Sequence, residues 1–293
     1  MNARFLTMTL VMGALVFIGC SKDENEPVKD NWNGEIRLCS GVTVRQTRTN
    51  NADVPDKQIA NNQTVQVVVT KQTADQKPFT GYNQSLTAQG DGTFSTPDPA
   101  MYYPESGMGV SIYAFHPATA AESFVINTDQ STDDNYFSSD LLYSDINDYA
   151  RQKDAHSLTF KHKLSKLTYT LEVGTGTPTI TGATVMWKNV CNTVSFDKTT
   201  GTVTNAINAT TIKPHATYGT IIAPQTVASG TALLEVTLPD GGVFTYKPTA
   251  DQQFVGGKKY NYLITVNLTG LTVTSTITDW EAVTTVNGSA EMD

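Results

Sequence analysis

The chain has 293 residues, with 28 acidic against 20 basic side chains and a formal charge of −8. That balance argues against nucleic-acid binding, which wants a basic face, and the length allows one large or two ordinary domains. In chain order the first element is an export signal. Arg4 precedes an apolar run from Phe5 to Ile18. The run has the length of a signal-peptide core and falls short of the roughly 20 apolar residues of a spanning helix. Gly19 stands directly before Cys20. A small residue at the cut and a thiol at the new N-terminus are what lipid attachment needs, so Cys20 is the expected lipid carrier. The alternative is an ordinary secretory signal with an incidental Cys. Removing residues 1–19 discards one Arg and no acid, which takes the charge from −8 to −9.

Residues 20–34 begin Ser21-Lys-Asp-Glu-Asn-Glu-Pro27 after the Cys. This polar, acidic stretch reads as a flexible tether. Strand patterns follow. Glu35–Leu38 alternates, as does Val42–Val44, and Gln63–Thr70 and Gly109–Phe115 are strong strand patterns. Ser131–Lys153, rich in Asp, reads as a long acidic loop with at most a helical turn. Ser157–Phe160, Leu164–Val173, Gly182–Trp187, Gly219–Ile222, Ala232–Leu238, Val243–Lys247, Tyr260–Leu268 and Val273–Ile277 complete the series. Most alternate apolar with polar residues, the period of a half-buried strand. Asp91-Gly92, Thr200-Gly201, Asp240-Gly241-Gly242 and Gly256-Gly257 mark turns between them. Many short strands predict an all-β chain. At roughly a hundred residues per sandwich, the body divides into two tandem antiparallel β-sandwiches, residues 35–160 and 161–293.

No catalytic constellation is legible. His116, His156, His162 and His215 share no metal-ligand spacing, and His156 and His162 flank a strand at roughly 20 Å. No nucleophilic Ser sits on a strand-turn-helix. Gly174-Thr-Gly176 falls in a turn between strands, where it cradles no phosphate. The carboxylates of 131–148 are hard-cation ligands by type but lack the spacing of a calcium loop, so a solvated surface is the competing reading. Tyr102, Tyr103, Trp187 and Trp280 are either a sugar-stacking platform or core and edge packing. Cys39 and Cys191 either pair in an oxidising compartment or remain free thiols. Neither an enzyme nor a cofactor is expected, and function is assigned to surfaces, edges and assembly.

Several motifs resemble those of Bacteroidales fimbrillins. They are Phe160-Lys-His-Lys-Leu164-Ser-Lys-Leu167, Gly219-Thr-Ile-Ile-Ala-Pro224-Gln225, Phe254-Val-Gly-Gly257-Lys-Lys-Tyr260-Asn-Tyr262 and Ile277-Thr-Asp279-Trp280. In the N-terminal half, Thr47-Arg48 and Tyr103-Pro104 followed by Val110–Pro117 look like the same family. The residues after Cys20 also resemble the acidic export signal of Bacteroidetes surface lipoproteins, with a plain linker as the alternative. The resemblance implies two transthyretin-like sandwiches and a type V pilus subunit carried to the outer face of the outer membrane by its lipid. An Arg-specific protease would cut after Arg48, or secondarily Arg45. The first strand, with Ile36, Leu38, Val42 and Val44 as apolar anchors, would then leave with the lipid. Arg37, inside that strand, would be protected. A strand from the next subunit, with Thr284–Asp293 as the candidate donor, would fill the groove head to tail. The partners implied are other pilin subunits, the outer membrane before processing, and a surface ligand for an adhesive tip. A permanently anchored pilus base and a lone adhesin or glycan-binding lipoprotein are the alternatives.

Overall fold

The computed structural model describes residues 32–40 and 58–280. The all-β expectation holds: the described residues form eighteen strands and one six-residue helix. The N-terminal half contains β1 (Leu38–Ser40), β2 (Thr64–Lys71), β3 (Tyr82–Thr87), β4 (Val110–His116), β5 (Ser123–Val125), α1 (Asp133–Ser138), β6 (Leu142–Tyr149), β7 (His156–Leu158) and β8 (Lys161–His162). Five of these make a sheet in the order β3-β2-β4-β6-β8, and β1 pairs β7 apart from it. β2 shows why: Val65, Val67 and Val69 are fully buried while Gln66 and Val68 between them are half-buried. That is the period-2 pattern of a strand with one face on a core.

The C-terminal half contains β9 (Ser165–Val173), β10 (Thr184–Asp197), β11 (Thr202–Ile212), β12 (Thr220–Ile222), β13 (Gln225–Val227), β14 (Leu234–Thr237), β15 (Val243–Tyr246), β16 (Gln252–Phe254), β17 (Lys258–Asn267) and β18 (Gly270–Asp279). Its two main sheets run β11-β10-β14-β15 and β12-β9-β17-β18. Trp187 of β10 and Tyr262 of β17 meet between them edge to face, with ring centroids 5.0 Å apart. β5 joins this half by pairing antiparallel with β10 over Ser123–Val125.

The structure departs from the expectations in several places: β3, β5, β8, β13 and β16 are strands beyond those expected from the sequence, and four further departures have an identifiable setting. Leu142–Tyr149 is a strand, not loop. Its buried start, Leu142-Tyr143-Ser144, is captured between β4 and β8, and tertiary pairing overrides the poor β-propensity of Asp and Asn further along. Gly182–Trp187 continues to Asp197, because a register shift after Trp187, with Asn189 at φ 55°, absorbs the Lys188-Asn189 break as a bulge. The polar, Asn-rich β11 carries no strand pattern legible in the sequence. Finally, the pairing is not wholly antiparallel. β9 and β17 are parallel over eight positions and β1 and β7 over three, as strands joined by long crossing connections can be.

The β10–β11 hairpin reaches the N-terminal half. Phe196 packs edge-on to Phe115 of β4 (5.7 Å) and Tyr143 of β6 (6.3 Å), and the Tyr143 hydroxyl donates to the Thr199 carbonyl at 2.5 Å. Gly201 permits the approach: at φ +66° a Cβ there would lie 2.2 Å from the Tyr143 ring.

Candidate functional site

The first described segment, Gly34 to Ser40, is hydrogen bonded along both sides. On one side the Ile36 N–H donates to the Met101 carbonyl (2.7 Å), the Tyr103 N–H to the Gly34 carbonyl (2.9 Å), and the Ser40 N–H to the Gly92 carbonyl (2.7 Å). On the other, β1 lies parallel to β7 with Leu38 opposite His156 and Ser40 opposite Leu158, and the His156 N–H donates to the Arg37 carbonyl (2.8 Å). The segment is therefore interior to a three-stranded arrangement formed with residues 92–103 and β7.

Side chains follow the backbone. Ile36 is 1% exposed and Leu38 half-buried, while Arg37 points outward and lies 3.6 Å from Glu35. A groove of about 220 Å³ runs beside the segment, lined by Ile36, Leu38, Leu86, Phe94 and Pro97 together with the polar Glu35, Arg37, Ser95 and Thr96. That is below the roughly 300 Å³ at which small-molecule sites begin. The two lips of the arrangement touch: the Tyr103 hydroxyl meets Nε2 of His156 in a short hydrogen bond. Burial pushes the His156 imidazole below its ordinary value and the Tyr103 phenol above its own. The Cys39 thiol, 3.6 Å from the His156 carbonyl, is also raised by burial. It is free, as is Cys191.

Of the residues expected to act here, Ile36 and Leu38 are in the segment as described. Cys20, Val42, Val44, Arg45, Arg48 and the donor candidate Thr284–Asp293 lie outside the described residues. The other candidates have structural partners. His162 Nδ1 sits 2.9 Å from buried Asp140, and its ring stacks on Trp280 at 3.7 Å. His215 Nδ1 accepts the N–H groups of Thr217 and Tyr218, while Nε2 lies 3.0 Å from Asp133. Both ring nitrogens of His116 face backbone carbonyls, of Thr64 and Phe137. Asp145 pairs with Lys161 at 2.5 Å and Asp148 accepts from Ser111 at 2.5 Å. Among the described residues no three His, Cys, Asp or Glu side chains are grouped to hold a metal. Trp187, Trp280 and Tyr103 are buried, which leaves Tyr102 as the exposed member of the aromatic set at 39%. Sequence reasoning missed Lys166. Its side chain is fully buried on β9, with Nζ 5.8 Å from the Tyr136 ring and 5.6 Å from the Trp280 ring. The apolar residues around it in sequence gave no sign of that burial.

Comparison with known proteins places this architecture. The profile of the fimbrillin-like family matches residues 47–280, the body that follows the first strand. A candidate fimbrium subunit of Bacteroides uniformis, Fim1C, is 25% identical over 300 aligned positions, covering 96% of this chain and 95% of its own. Among solved structures, a candidate cell adhesion protein from Bacteroides uniformis superposes with a TM-score of 0.64 at 21% identity, covering 85% of this chain and all of its own. A second, from Bacteroides ovatus, gives 0.58 at 19% identity, covering 84% and 97%. At these identities the two structures speak for the fold.

Proposed function

We propose, since this chain belongs to the fimbrillin-like family, that it is a subunit of a surface fimbrium, exported as a lipoprotein and assembled by exchange of its first strand. The observation that carries the reading is the double-sided hydrogen bonding of Gly34–Ser40. Cutting the chain after Arg48, or Arg45, frees everything N-terminal to the cut, including β1 and the lipid on Cys20. The carbonyls of Gly92 and Met101 and the N–H groups of Tyr103 and His156 then lose their partners together, and the space held by Ile36 opens. Each buried group left unpaired costs about 1–3 kcal/mol. An incoming strand that restores those bonds and refills the Ile36 site is bound by β-augmentation. With the C-terminal segment of one chain as donor and the vacated groove of the next as acceptor, the linkage is head to tail and grows as a fibre. Before the cut, β1 occupies its own groove and no fibre grows through it. The role lies in assembly and surface contact rather than in turnover of a substrate.

N-terminal sequencing of the protein in isolated fimbriae tests this. The expected first residue is Thr49, or Gln46 for the secondary site. The Arg45→Ala, Arg48→Ala double variant is expected to remain lipidated and outside the fibre. Fibres whose chains all begin at lipid-modified Cys20 overturn strand exchange and assign a permanently anchored role instead.

A further inference from the structure

The body left after a cut at Arg48 is nearly free of further Arg. Residues 49–293 hold thirteen Lys and one Arg, Arg151. It stands in residues 150–155, an exposed loop between β6 and β7, the kind of place where chains are nicked. Its side chain is laid against the first segment. Arg151 Cζ lies 5.9 Å from the centroid of the Tyr103 ring. Gly34, at φ +87°, passes so close that a Cβ there would fall 2.9 Å from Arg151 Nη2. The loop is held at both ends. Ahead of Arg151, the Ala150 carbonyl accepts the Tyr103 hydroxyl at 3.2 Å, and Tyr103 in turn donates its N–H to the Gly34 carbonyl. Behind it, β7 has β1 as its strand partner among the described residues, and the His156 N–H donates to the Arg37 carbonyl. The contacts at Gly34, at Arg37 and along β1 belong to the first segment and go when it goes.

We propose that Arg151 is a second, conditional site for an Arg-specific protease, sheltered while a strand fills the groove and cut when the groove stands empty. The inference rests on the strand-exchange reading. A protease needs its Arg side chain drawn off the surface and the residues around it extended. With the first segment in place, the guanidinium rests on Tyr103 and Gly34, and β7 anchors the residues just beyond it. Once the segment leaves, β7 loses its ladder and Arg151 loses Gly34 beneath it, so the loop opens more readily. Water then adds across the Arg151–Gln152 amide, leaving a carboxylate on Arg151 and an amine on Gln152. Lys153, two residues on, does not replace it for a protease that reads the planar fork of Arg. The two fragments stay together, since β8 beyond the cut pairs β6 before it. β7 is no longer tied to β6, however, and the groove loses one side. A donated strand that remakes the bonds to Tyr103 and His156 restores the shelter. The cut therefore disables bodies that have lost their own strand and found no other.

The full chain in mild detergent, incubated with an Arg-specific endoprotease and followed by mass spectrometry, tests it. In the unsubstituted chain the cut after Arg48 or Arg45 should come first, and the fragment 152–293 should follow with a lag. In the Arg37→Lys, Arg45→Lys, Arg48→Lys triple variant the first segment cannot be freed, and Arg151 is the single Arg beyond Arg4. Its nick should then be at least about tenfold slower, since nicking follows the open population of the loop. Arg151→Lys should keep the first cut and lose the second. In isolated fimbriae no chain should begin at Gln152. A body that persists uncut at Arg151 after the first cut overturns the proposal and leaves strand exchange standing, whereas absence of the first cut overturns both. A triple variant nicked as fast as the unsubstituted chain, with its circular dichroism spectrum unchanged, also overturns it, as does a chain beginning at Gln152 within fibres. If the triple variant loses its fold, the order of cuts in the unsubstituted chain decides: a nick at Arg151 that precedes or accompanies the first cut sinks the proposal.

Discussion

His156 stands where the first strand meets its neighbour, and its titration reports on that junction. Burial lowers its pKa from the ordinary 6.5, so the folded chain resists the charged form. As pH falls below 6.5 the unfolded chain takes up the proton first, and stability drops until the lowered folded pKa is passed. Above 6.5 both states are neutral here and the contribution is flat. Asp75, Asp91, Asp129 and Asp197, whose pKa values are lowered chiefly by hydrogen bonds, act only in a more acid window. The urea midpoint is therefore expected to fall between about pH 7 and about pH 5.5 in the unsubstituted chain and to fall less in His156→Gln. Equal slopes in the two proteins would remove His156 as the cause. The sequence placed His156 beside a strand, but its Tyr103 partner, 53 residues away, could be found only by folding.

The first strand is short, and its hold on the molecule rests on few groups. Ile36 is its most buried side chain. Ile36→Ala is expected to cost about 2–5 kcal/mol, read as a lowered urea midpoint of the unprocessed chain. In the strand-exchange reading the same substitution leaves the stability of the body after Arg48 unchanged, because the residue has departed. A loss of equal size in both forms would show that Ile36 acts outside the groove. The alternation of Ile36 and Leu38 made this strand legible from sequence. The hydrogen bonds on both of its sides were not legible, because residues 92–103 carry no strand pattern and are ordered by the pairing itself. β6 and β11 escaped for a related reason. Their Asp and Asn residues lie at half-exposed and exposed positions, and neighbouring strands supply the order that local propensity withholds.

Across the whole molecule, residues 33–280 behave as one body in their packing. A continuous apolar core runs from Phe115, Phe124, Tyr136 and Tyr143 of the N-terminal half to Trp187, Phe196 and Trp280 of the C-terminal half. The hairpin tip at Phe196 is a principal tie. Calorimetry of the body is expected to show one cooperative transition, and Phe196→Ala, at a cost of about 3–5 kcal/mol, is expected to lower and broaden it. Two well-separated transitions in the unsubstituted chain would mean that the halves fold independently and that the shared core adds little.

The sequence alone determined the all-β class, most strand positions and the turns between them. Period-2 burial and the glycines that break it are local properties, written within a few residues. The expectation of an export signal ending at Cys20 also rests on composition and spacing, without any fold. The tertiary structure decided which strands neighbour which: the parallel β9–β17 pair, the bulge that lengthens β10, and the enclosure of Gly34–Ser40. Each depends on contacts between distant residues, such as Thr168 with Asn261, 93 positions apart. Such partners are chosen by packing and register over the assembled core, and no short stretch of the chain records the choice.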